Sequence, residues 1–499
     1  MPTRTPTICL QLLQLYFPTR AARFPSRCSV IAARQSSNDA SLPTKSITFF
    51  PSPTDQGAAK VLNSQALARL PTSSVLRSLF LGAFFSSSLL FTPGFALLKK
   101  VANSPSSIWN PDKNPLLRAV VKPLIYDQFC AGINRSEIQA RIAQIKSLGF
   151  SGVILCYGKE IQVEKSNPQC QSVDLAATGG GDQELEWWKR GNLETLDMLG
   201  HGDYLGIKMT GCGKSITNDL LQGKAAPPSF TAAMDAIVQR AISQNCRIWI
   251  DSEQQAVQPT IDRWTIDLMR KHNRGGGQAV IYNTIQAYLK TARAKLEHQL
   301  QLAHAEGWTL AIKLVRGAYI DTDLRARIHD TKAATDAAYD AMVHDLLHGT
   351  GIRGVPTGPG FPSMQLFLAG HNAHSVARAS ALVRTLHARG TLRTLPEFGQ
   401  LQGMADQLGC ELLQEGEDAV VARASPGASA MPVPRVYKCL TWGSIRECMQ
   451  YLVRRAVENR GATGAVKDGM PALARELRRR GVDALMGRRR RGRGRRMSG

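Results

Sequence analysis

From Tyr126 onward, short apolar runs alternate with stretches of helical periodicity, and this alternation limits the possible folds more than any other feature of the chain. Ser151–Tyr157, Tyr204–Met209, Arg247–Asp251, Ala279–Asn283, Thr309–Tyr319, Ser363–Ala369, Leu392–Phe398 and Arg435–Leu440 each read as a buried parallel strand. Between and around them Ile133–Leu148, Glu184–Leu199, Phe230–Ser243, Thr260–His272, Gln286–Glu306, Lys332–Leu347, His374–Arg389, Gly403–Leu413 and Ser444–Arg460 have the pattern of helices. Residues 166–182 read as an irregular polar insert and 415–434 as a loop insertion. Eight strand–helix alternations over about 310 residues predict an α/β chain folded as a (βα)8 barrel, with a doubly wound open sheet as the alternative.

The flanks have different compositions. Residues 1–38 hold no acidic residue, and Arg4, Arg20, Arg23, Arg27 and Arg34 alternate there with Ser, Thr and apolar residues, the composition of a mitochondrial presequence. Residues 39–125 are expected to be linker, Ser/Pro/Thr-rich at first, followed by the uncharged segment Leu79–Leu98. That segment is long enough to span a bilayer, but Pro93-Gly94 and three consecutive serines favour a helix–turn that packs on the domain or touches a membrane face. Residues 462–499 are a basic tail, with ten arginines between Arg478 and Arg496, expected to be disordered. The formal charge of +23 is concentrated in these flanks and is therefore weak evidence for a nucleic-acid partner. Ten cysteines without a C-x-x-C pair or zinc-like spacing read as reduced thiols.

Chemistry-bearing residues recur where a barrel places its site, at the carboxyl ends of the strands. Lys208, Asp251, Gln286, Lys313 with Arg316, His371 with Asn372, and the segment ending at Leu401 all fall at or just past such ends. In the fifth apolar run, T-L-A-I-K-L-V-R-G-A-Y, two cations precede Gly317-Ala318. An unpaired interior charge costs several kcal/mol, so Lys313 and Arg316 are expected at the strand exit, facing an anionic ligand. Gly317 and Ala318 would let backbone approach that ligand, and Tyr319 offers a ring face or a hydroxyl.

Tyr451, Arg454, Arg455 and Glu458 share one face of the last predicted helix. Paired guanidiniums can grip a carboxylate, and a glutamate one turn on can accept from an ammonium; an exposed helix with an ordinary i,i+4 ion pair is the plainer reading. Gly211–Ser215, G-C-G-K-S, lacks the upstream glycine of a phosphate-binding loop. His371 and His374 have no third ligand at metal spacing.

Taken together, K-L-V-R-G-A-Y at 313–319, I-D-S-E-Q at 250–254, N-T-I-Q-A-Y-L at 283–289, G-H-N at 370–372, F-G-Q-L-Q-G-M at 398–404 and Y-L-V-R-R-A-V-E-N at 451–459 resemble proline dehydrogenases, in the family's order. Y-D-Q-F-C-A-G at 126–132 and V-Y-K-C-L-T-W-G at 436–443 are similar to fungal mitochondrial members. The resemblance covers about 126–461. It implies a (βα)8 barrel with the final helix over its mouth. It also implies FAD as cofactor, oxidation of L-proline to Δ1-pyrroline-5-carboxylate by hydride transfer from C5 to flavin N5, and electron delivery to quinone at the matrix side of the mitochondrial inner membrane.

Carried over residue by residue, the resemblance places the proline carboxylate on Arg454, Arg455 and Lys208, with Asp251 supporting the lysine and Glu458 near the amine. Tyr451 and Leu401 would wall the ring, and Ala318 and Tyr319 would line the space between proline and flavin. Gln286, Lys313, Arg316, Gly317, His371 and Asn372 would contact the flavin, Lys313 at its pyrophosphate. No residue stands out as a general base, no metal is implied and no nucleic-acid partner is expected. Cys439 stands where many members carry a ring-contacting tyrosine, Gly399 where bacterial members have glutamine, and Ser252 where alanine is commoner. The cysteine leaves 4-hydroxyproline open as a substrate. Two other classes compete: a different barrel chemistry on a phosphorylated ligand, and a basic protein binding RNA or anionic lipid without flavin.

Overall fold

The computed structural model describes residues 66–104, 106–158, 181–320, 322–424, 431–461 and 469–484. Eight parallel strands close into a barrel in chain order: β1 (Gly152–Tyr157), β2 (Tyr204–Ile207), β3 (Arg247–Ile250), β4 (Ile281–Gln286), β5 (Leu310–Val315), β6 (Met364–Ala369), β7 (Glu397–Leu401) and β8 (Arg435–Trp442). β1 closes the ring by pairing with β8, Gly152 opposite Tyr437 and Tyr157 opposite Trp442. The open-sheet alternative is excluded by that pairing.

The helices before the barrel are α1 (Thr72–Ser86), α2 (Ser88–Asn103), α3 (Pro115–Val121), α4 (Asp127–Phe129) and α5 (Arg135–Ser147). Between strands run α6 (Gly181–Leu196), α7 (Lys214–Leu221), α8 (Pro228–Ser243), α9 (Gln258–His272), α10 (Ala292–Glu306), α11 (Lys332–His348), α12 (Ala373–Ala388) and α13 (Asp406–Arg423). α14 (Ile445–Gly461) follows β8.

The strand period of two sorts each strand into an outward and an inward set. Val153, Leu155, Leu205, Ile207, Ile248, Ile250, Leu310, Ile312 and Leu314 pack outward against the helices. Ile154, Cys156, Tyr204, Trp249, Tyr282, Ala311, Phe367 and Tyr437 fill the interior. Tyr204 meets Tyr282, Phe367 and Tyr437 edge-on, each at 5.4 Å between ring centres. So much aromatic volume needs empty space opposite it: a Cβ on Gly399 would lie 2.5 Å from the Phe367 ring.

A buried ionic cluster closes the amino-terminal end of the barrel. Glu397 accepts from Arg247 at 2.8 Å, from the Tyr437 hydroxyl at 3.2 Å and from the Tyr204 hydroxyl. The Arg247 guanidinium lies 3.9 Å from the centre of the Tyr204 ring. These residues sit at the starts of their strands and hold the floor.

Several expectations change. Lys313 is within β5, not at its exit, and its parity with Ala311 turns it into the barrel. β7 begins at Glu397, five residues later than predicted, and β4 runs to Gln286, so that α10 starts only at Ala292. The expected loop at 415–434 is helical as far as Arg423, because Leu412, Leu413, Gly416 and Ala419 continue a buried face. The part of residues 39–125 expected to be linker is helical from Ala66, and the break between α1 and α2 falls at Ser87, leaving Pro93 inside α2. The described part of the basic tail is ordered, contrary to expectation: residues 469–484 are helical, with Ala472 and Glu476 buried and Arg480 donating to the carbonyls of Leu67, Ala68 and Leu70. The predicted presequence, the bulk of the 166–182 insert and the last arginines lie outside the described residues.

Removing Arg247 leaves the buried Glu397 carboxylate with only the exposed Arg435 guanidinium, 3.3 Å from it, as counter-charge, a loss of up to about 3–5 kcal/mol. Arg247→Met is expected to lower the thermal midpoint by several degrees, measured by circular dichroism. A midpoint equal to that of the parent would show the cluster to be unimportant for stability.

Candidate active site

The inward parity that packs the floor also builds the mouth. Counting by twos, Tyr204 leads to Lys208, Trp249 to Asp251, Tyr282 to Gln286, Ala311 to Lys313, Phe367 to His371 and Tyr437 to Cys439. Each residue at the second position therefore faces the same space as the aromatic plug, one or two layers nearer the carboxyl ends.

Asp251 is the centre of this layer. Its carboxylate pairs with the Lys313 ammonium and lies 3.9 Å from that of Lys208. Lys313 also sits 4.4 Å above the Trp249 ring, a second anchor for its charge. Burial alone would raise the Asp251 carboxyl, but Lys313, Lys208 and Arg455 outweigh it and hold it below its ordinary value. Burial likewise disfavours charge on Lys208, yet Tyr319, Asp251 and Glu253 raise it well above the ordinary lysine value. Lys208 donates to the Tyr319 hydroxyl, whose own pKa is raised by burial. The layer thus holds fixed positive charge, not a base.

Glu253 supports Lys208 from behind. It accepts from the Thr210 amide at 3.1 Å and from the Thr210 hydroxyl, and its own amide donates to Gln258 at 2.6 Å. Burial raises its carboxyl above the ordinary value. The residue lay within the I-D-S-E-Q motif, but without the fold its role was not legible.

Gln286 ties the ends of β3 and β5 together, donating to the Glu253 carbonyl at 3.3 Å and accepting from the Ala318 amide at 3.1 Å. Gly317 precedes Ala318 at φ +152°, where a Cβ would lie 2.4 Å from the Tyr288 ring. Only glycine fits that turn. Arg316 leaves the cluster and turns the other way, to Asp336 on α11 at 2.7 Å and to the Ser375 hydroxyl at 2.7 Å. Its guanidinium lies 4.4 Å from the Tyr339 ring centre. Asn372 caps α12 by accepting from the Ser375 amide at 3.2 Å, and donates to Asp336 at 3.3 Å. Asp336 therefore fixes both Arg316 and Asn372, and nothing in its sequence context marked it out.

His371 accepts from the Leu401 amide through Nε2 at 3.1 Å, which puts its proton on Nδ1. Burial, with Arg455, Lys438 and Arg316 nearby, pushes the imidazole down to about 3. At neutral pH it is an uncharged donor.

α14 supplies the roof. Tyr451 is nearly buried, Arg454 half-buried and Arg455 buried, with the Arg455 guanidinium 5.0 Å from the Tyr451 ring centre. The charge of Arg455 acts on Asp251, His371 and Cys439, so this arginine belongs to the barrel mouth. Glu458 lies on the same helix, but its side chain is outside the described residues. Cys439 is half-buried and accepts a hydrogen bond from the Cys156 thiol, which lowers its pKa against the effect of burial. The seven described cysteines are all free thiols.

The sequence-predicted residues therefore fall into two groups. Lys208, Asp251, Lys313, Tyr319 and Arg455 converge electrostatically, with Tyr451 against Arg455. Arg316, His371 and Asn372 gather at the start of α12, and Gln286, Gly317 and Ala318 join the groups. Lys313 stands with the first group, in the interior, although it was expected beside Arg316. The G-C-G-K-S segment is a short turn into α7 whose first amide is already bonded to the Glu184 carboxylate at 2.9 Å, leaving no role for it as a phosphate cradle.

Comparison with known proteins decides the family. The model of the proline dehydrogenase family matches residues 138–468. The chain belongs to the proline dehydrogenase family. It is 32% identical over 253 residues to proline dehydrogenase 1, mitochondrial, of Caenorhabditis elegans, covering 49% of this chain and 37% of that protein. It is 33% identical over 259 residues to the probable mitochondrial proline dehydrogenase of Schizosaccharomyces pombe, half of each chain. The chain thus spans about a third to a half of these relatives. Against bovine hydroxyproline dehydrogenase the match is longer, 27% identity over 417 residues, 72% of this chain and 82% of that protein. Among solved structures, proline utilization A from Bdellovibrio bacteriovorus, inactivated by N-propargylglycine, has the same fold at a TM-score of 0.55 and 15% identity, over 80% of this chain and 41% of that one.

The neutral state of His371 sets a pH dependence for this proline dehydrogenase family member. The folded pKa lies below the unfolded value of about 6.5, so the unfolded chain binds more protons in that window. Stability is therefore full above pH 6.5 and falls as pH drops from about 6.5 toward about 3. His371→Asn is expected to lack this component, and parallel stability–pH curves for the two proteins would contradict it.

Proposed function

We propose that this chain is an FAD-dependent dehydrogenase that oxidises L-proline to Δ1-pyrroline-5-carboxylate. The observation that carries the reading is the convergence of Lys208, Lys313 and Arg455 on one carboxylate at the barrel mouth, in a chain of the proline dehydrogenase family. Three cations face Asp251, with Glu253 as the second carboxylate near Lys208, so the site still has net positive charge to offer, and proline brings a carboxylate.

Arg454, Arg455 and Lys208 bind the proline carboxylate, with Asp251 and Tyr319 holding Lys208 in place. Tyr451 and Leu401 wall the pyrrolidine ring, and Glu458 stands near the amine. Ala318 and Tyr319 line the space on the β5 side. The amine must lose one proton to free the lone pair that drives the C5 hydride out; Lys208, already protonated, cannot take it, so it goes to solvent, and the remaining N–H leaves with the protonated imine product.

The residues present suit FAD. Arg316, anchored on Asp336 and Ser375 beside the amino terminus of the 16-residue helix α12, provides the cation and helix end that a pyrophosphate needs. His371 offers an Nδ1–H donor, Asn372 and Gln286 fix the adjoining backbone, and Gly317 allows close approach. Lys313, in the interior, is assigned to the junction between flavin and proline and not to the pyrophosphate. FAD, when bound, supplies the two-electron acceptor for the hydride leaving proline C5. The electrons pass on to a quinone in the mitochondrial inner membrane, at its matrix side; the Caenorhabditis elegans and Schizosaccharomyces pombe relatives are named as mitochondrial, and the composition of residues 1–38 agrees with this reading.

A second reading is 4-hydroxyproline as substrate. It is favoured by the longer match to hydroxyproline dehydrogenase and by the small side chain of Cys439 in the interior. Cys439→Tyr, by filling the space beside the ring, is expected to lower the ratio of hydroxyproline to proline turnover by about tenfold, the scale of a small change in pocket size. An unchanged ratio would remove Cys439 from specificity.

Arg455→Met tests the carboxylate clamp. The expected result is a proline KM raised on the order of 30-fold or more, the equivalent of about 2 kcal/mol, with flavin content unchanged. An unaltered KM would contradict the assignment.

A further inference from the structure

The bent pair α1–α2 has two faces of different character. The inner face, with Leu81, Phe85, Phe91, Leu98 and Val101, is buried in one cluster with Met449, Tyr451, Leu452 and Ala456 of α14. The outer face leaves Leu76 and Phe80 of α1 about half exposed, one helical turn apart. On α2, Leu89 is 88% exposed and Leu90 55%, and Leu97 continues the stripe two turns on. Single exposed apolar residues are ordinary; five on two consecutive helices are a surface.

Charge makes the partner specific. Residues 72–111 contain no Asp or Glu. α2 ends in Lys99 and Lys100, both exposed, with their ammoniums 4.8 Å from the Phe95 ring and 4.3 Å from the Trp109 ring. Exposed Lys113 and Arg118 follow on the approach to and within α3, whose Leu116 and Val120 form a further exposed pair. An apolar strip bordered by cations and aromatic rings suits the boundary between acyl chains and anionic headgroups. It does not suit an acid-bearing protein partner, which would have to bury leucines against water-seeking groups.

Geometry sets the depth. Neither helix is long and apolar enough to cross a bilayer, and the two satisfy that test only as a pair bent by 100°. A bend this sharp suits a pair lying along one leaflet more than a span.

We propose that the outer face of α1–α2 is a monotopic docking surface for a bilayer carrying anionic headgroups, and that it seats the barrel mouth at the lipid. The link to the mouth is α14. Asp112 accepts from the Ile445 and Arg446 amides at 3.1 and 3.0 Å, fixing the start of that helix, and Arg446 donates to the Ser104 carbonyl at 3.0 Å just past α2. The helix that carries Arg454 and Arg455 therefore has the docking pair on one side and the barrel on the other. An apolar electron acceptor dissolved in the bilayer would reach the mouth from this side. That last consequence rests on the proline-oxidising reading; the surface itself does not.

Vesicle flotation of the full-length holoprotein tests it, using phosphatidylcholine alone or with 30% phosphatidylglycerol (about that fraction suffices for a strong surface potential). The expected result is at least tenfold tighter binding to the anionic vesicles, weakened by salt. Leu89→Asp/Leu90→Asp should lose binding tenfold or more. It should keep proline oxidation with a soluble dye while losing oxidation supported by quinone in the vesicles. Lys99→Glu/Lys100→Glu should lose the preference for anionic lipid. Variant binding equal to the parent, or a parent that does not float, would overturn the proposal. A parent dimer that the leucine variant dissociates would also overturn it, because a second copy would then be the occupant. Leucine-dependent flotation of a protein inactive on proline would leave the surface standing and refute the substrate assignment instead.

Discussion

The ion pairs of Asp251 with Lys313 and Lys208 are the interaction on which the rest of the site depends. A lysine inside a barrel is tolerated only if its charge is met, and one carboxylate meets two of them while the Trp249 ring faces the first and the Tyr319 hydroxyl the second. The arrangement leaves the layer short of negative charge. On the proposed reading a substrate carboxylate completes it; the neighbouring imidazole, His371, is kept neutral by its burial and by the cations Arg455, Lys438 and Arg316. Binding energy and buried-charge cost are here two views of one electrostatic deficit.

The barrel divides its labour along its axis. At the floor, Glu397 and Arg247 neutralise each other among aromatic rings, and this layer is closed with its charges paired. Two to four residues further along each strand, the same inward parity brings up the unsatisfied layer. Stability and chemistry are thus separated by about 7–13 Å of strand, two to four residues of rise. α14 then closes the open end, braced on the side away from the barrel by α1 and α2.

Much of this was legible in the sequence. The eight apolar runs announced the strands because parallel strands buried on both faces read as continuous hydrophobic segments. Lys208, Asp251, Gln286 and His371 were found because they interrupt or terminate those runs. Lys313 was misplaced for the same reason: a charge inside an apolar run looks like a strand end unless its partner, 62 residues earlier in the chain, is known. Asp336 was missed as a functional residue because its neighbours give no local signal, and Glu253, although inside a recognised motif, because its role depends on Lys208 and Thr210, which folding brings beside it. The helix through 415–423 and the docking of residues 469–484 were hidden by composition, Gly and Arg respectively, while buried faces at Leu412, Leu413 and Ala419 and at Ala472 decided the outcome.

The central claim is that this mouth holds a flavin which proline reduces. The measurement that tests it most directly is the visible absorption spectrum of the purified protein, recorded anaerobically before and after addition of L-proline. The account predicts an oxidised flavin spectrum that bleaches with proline, and bleaches far less in Arg455→Met at the same concentration. A flavin spectrum indifferent to proline and hydroxyproline, or a folded protein that takes up no FAD on reconstitution, would contradict it.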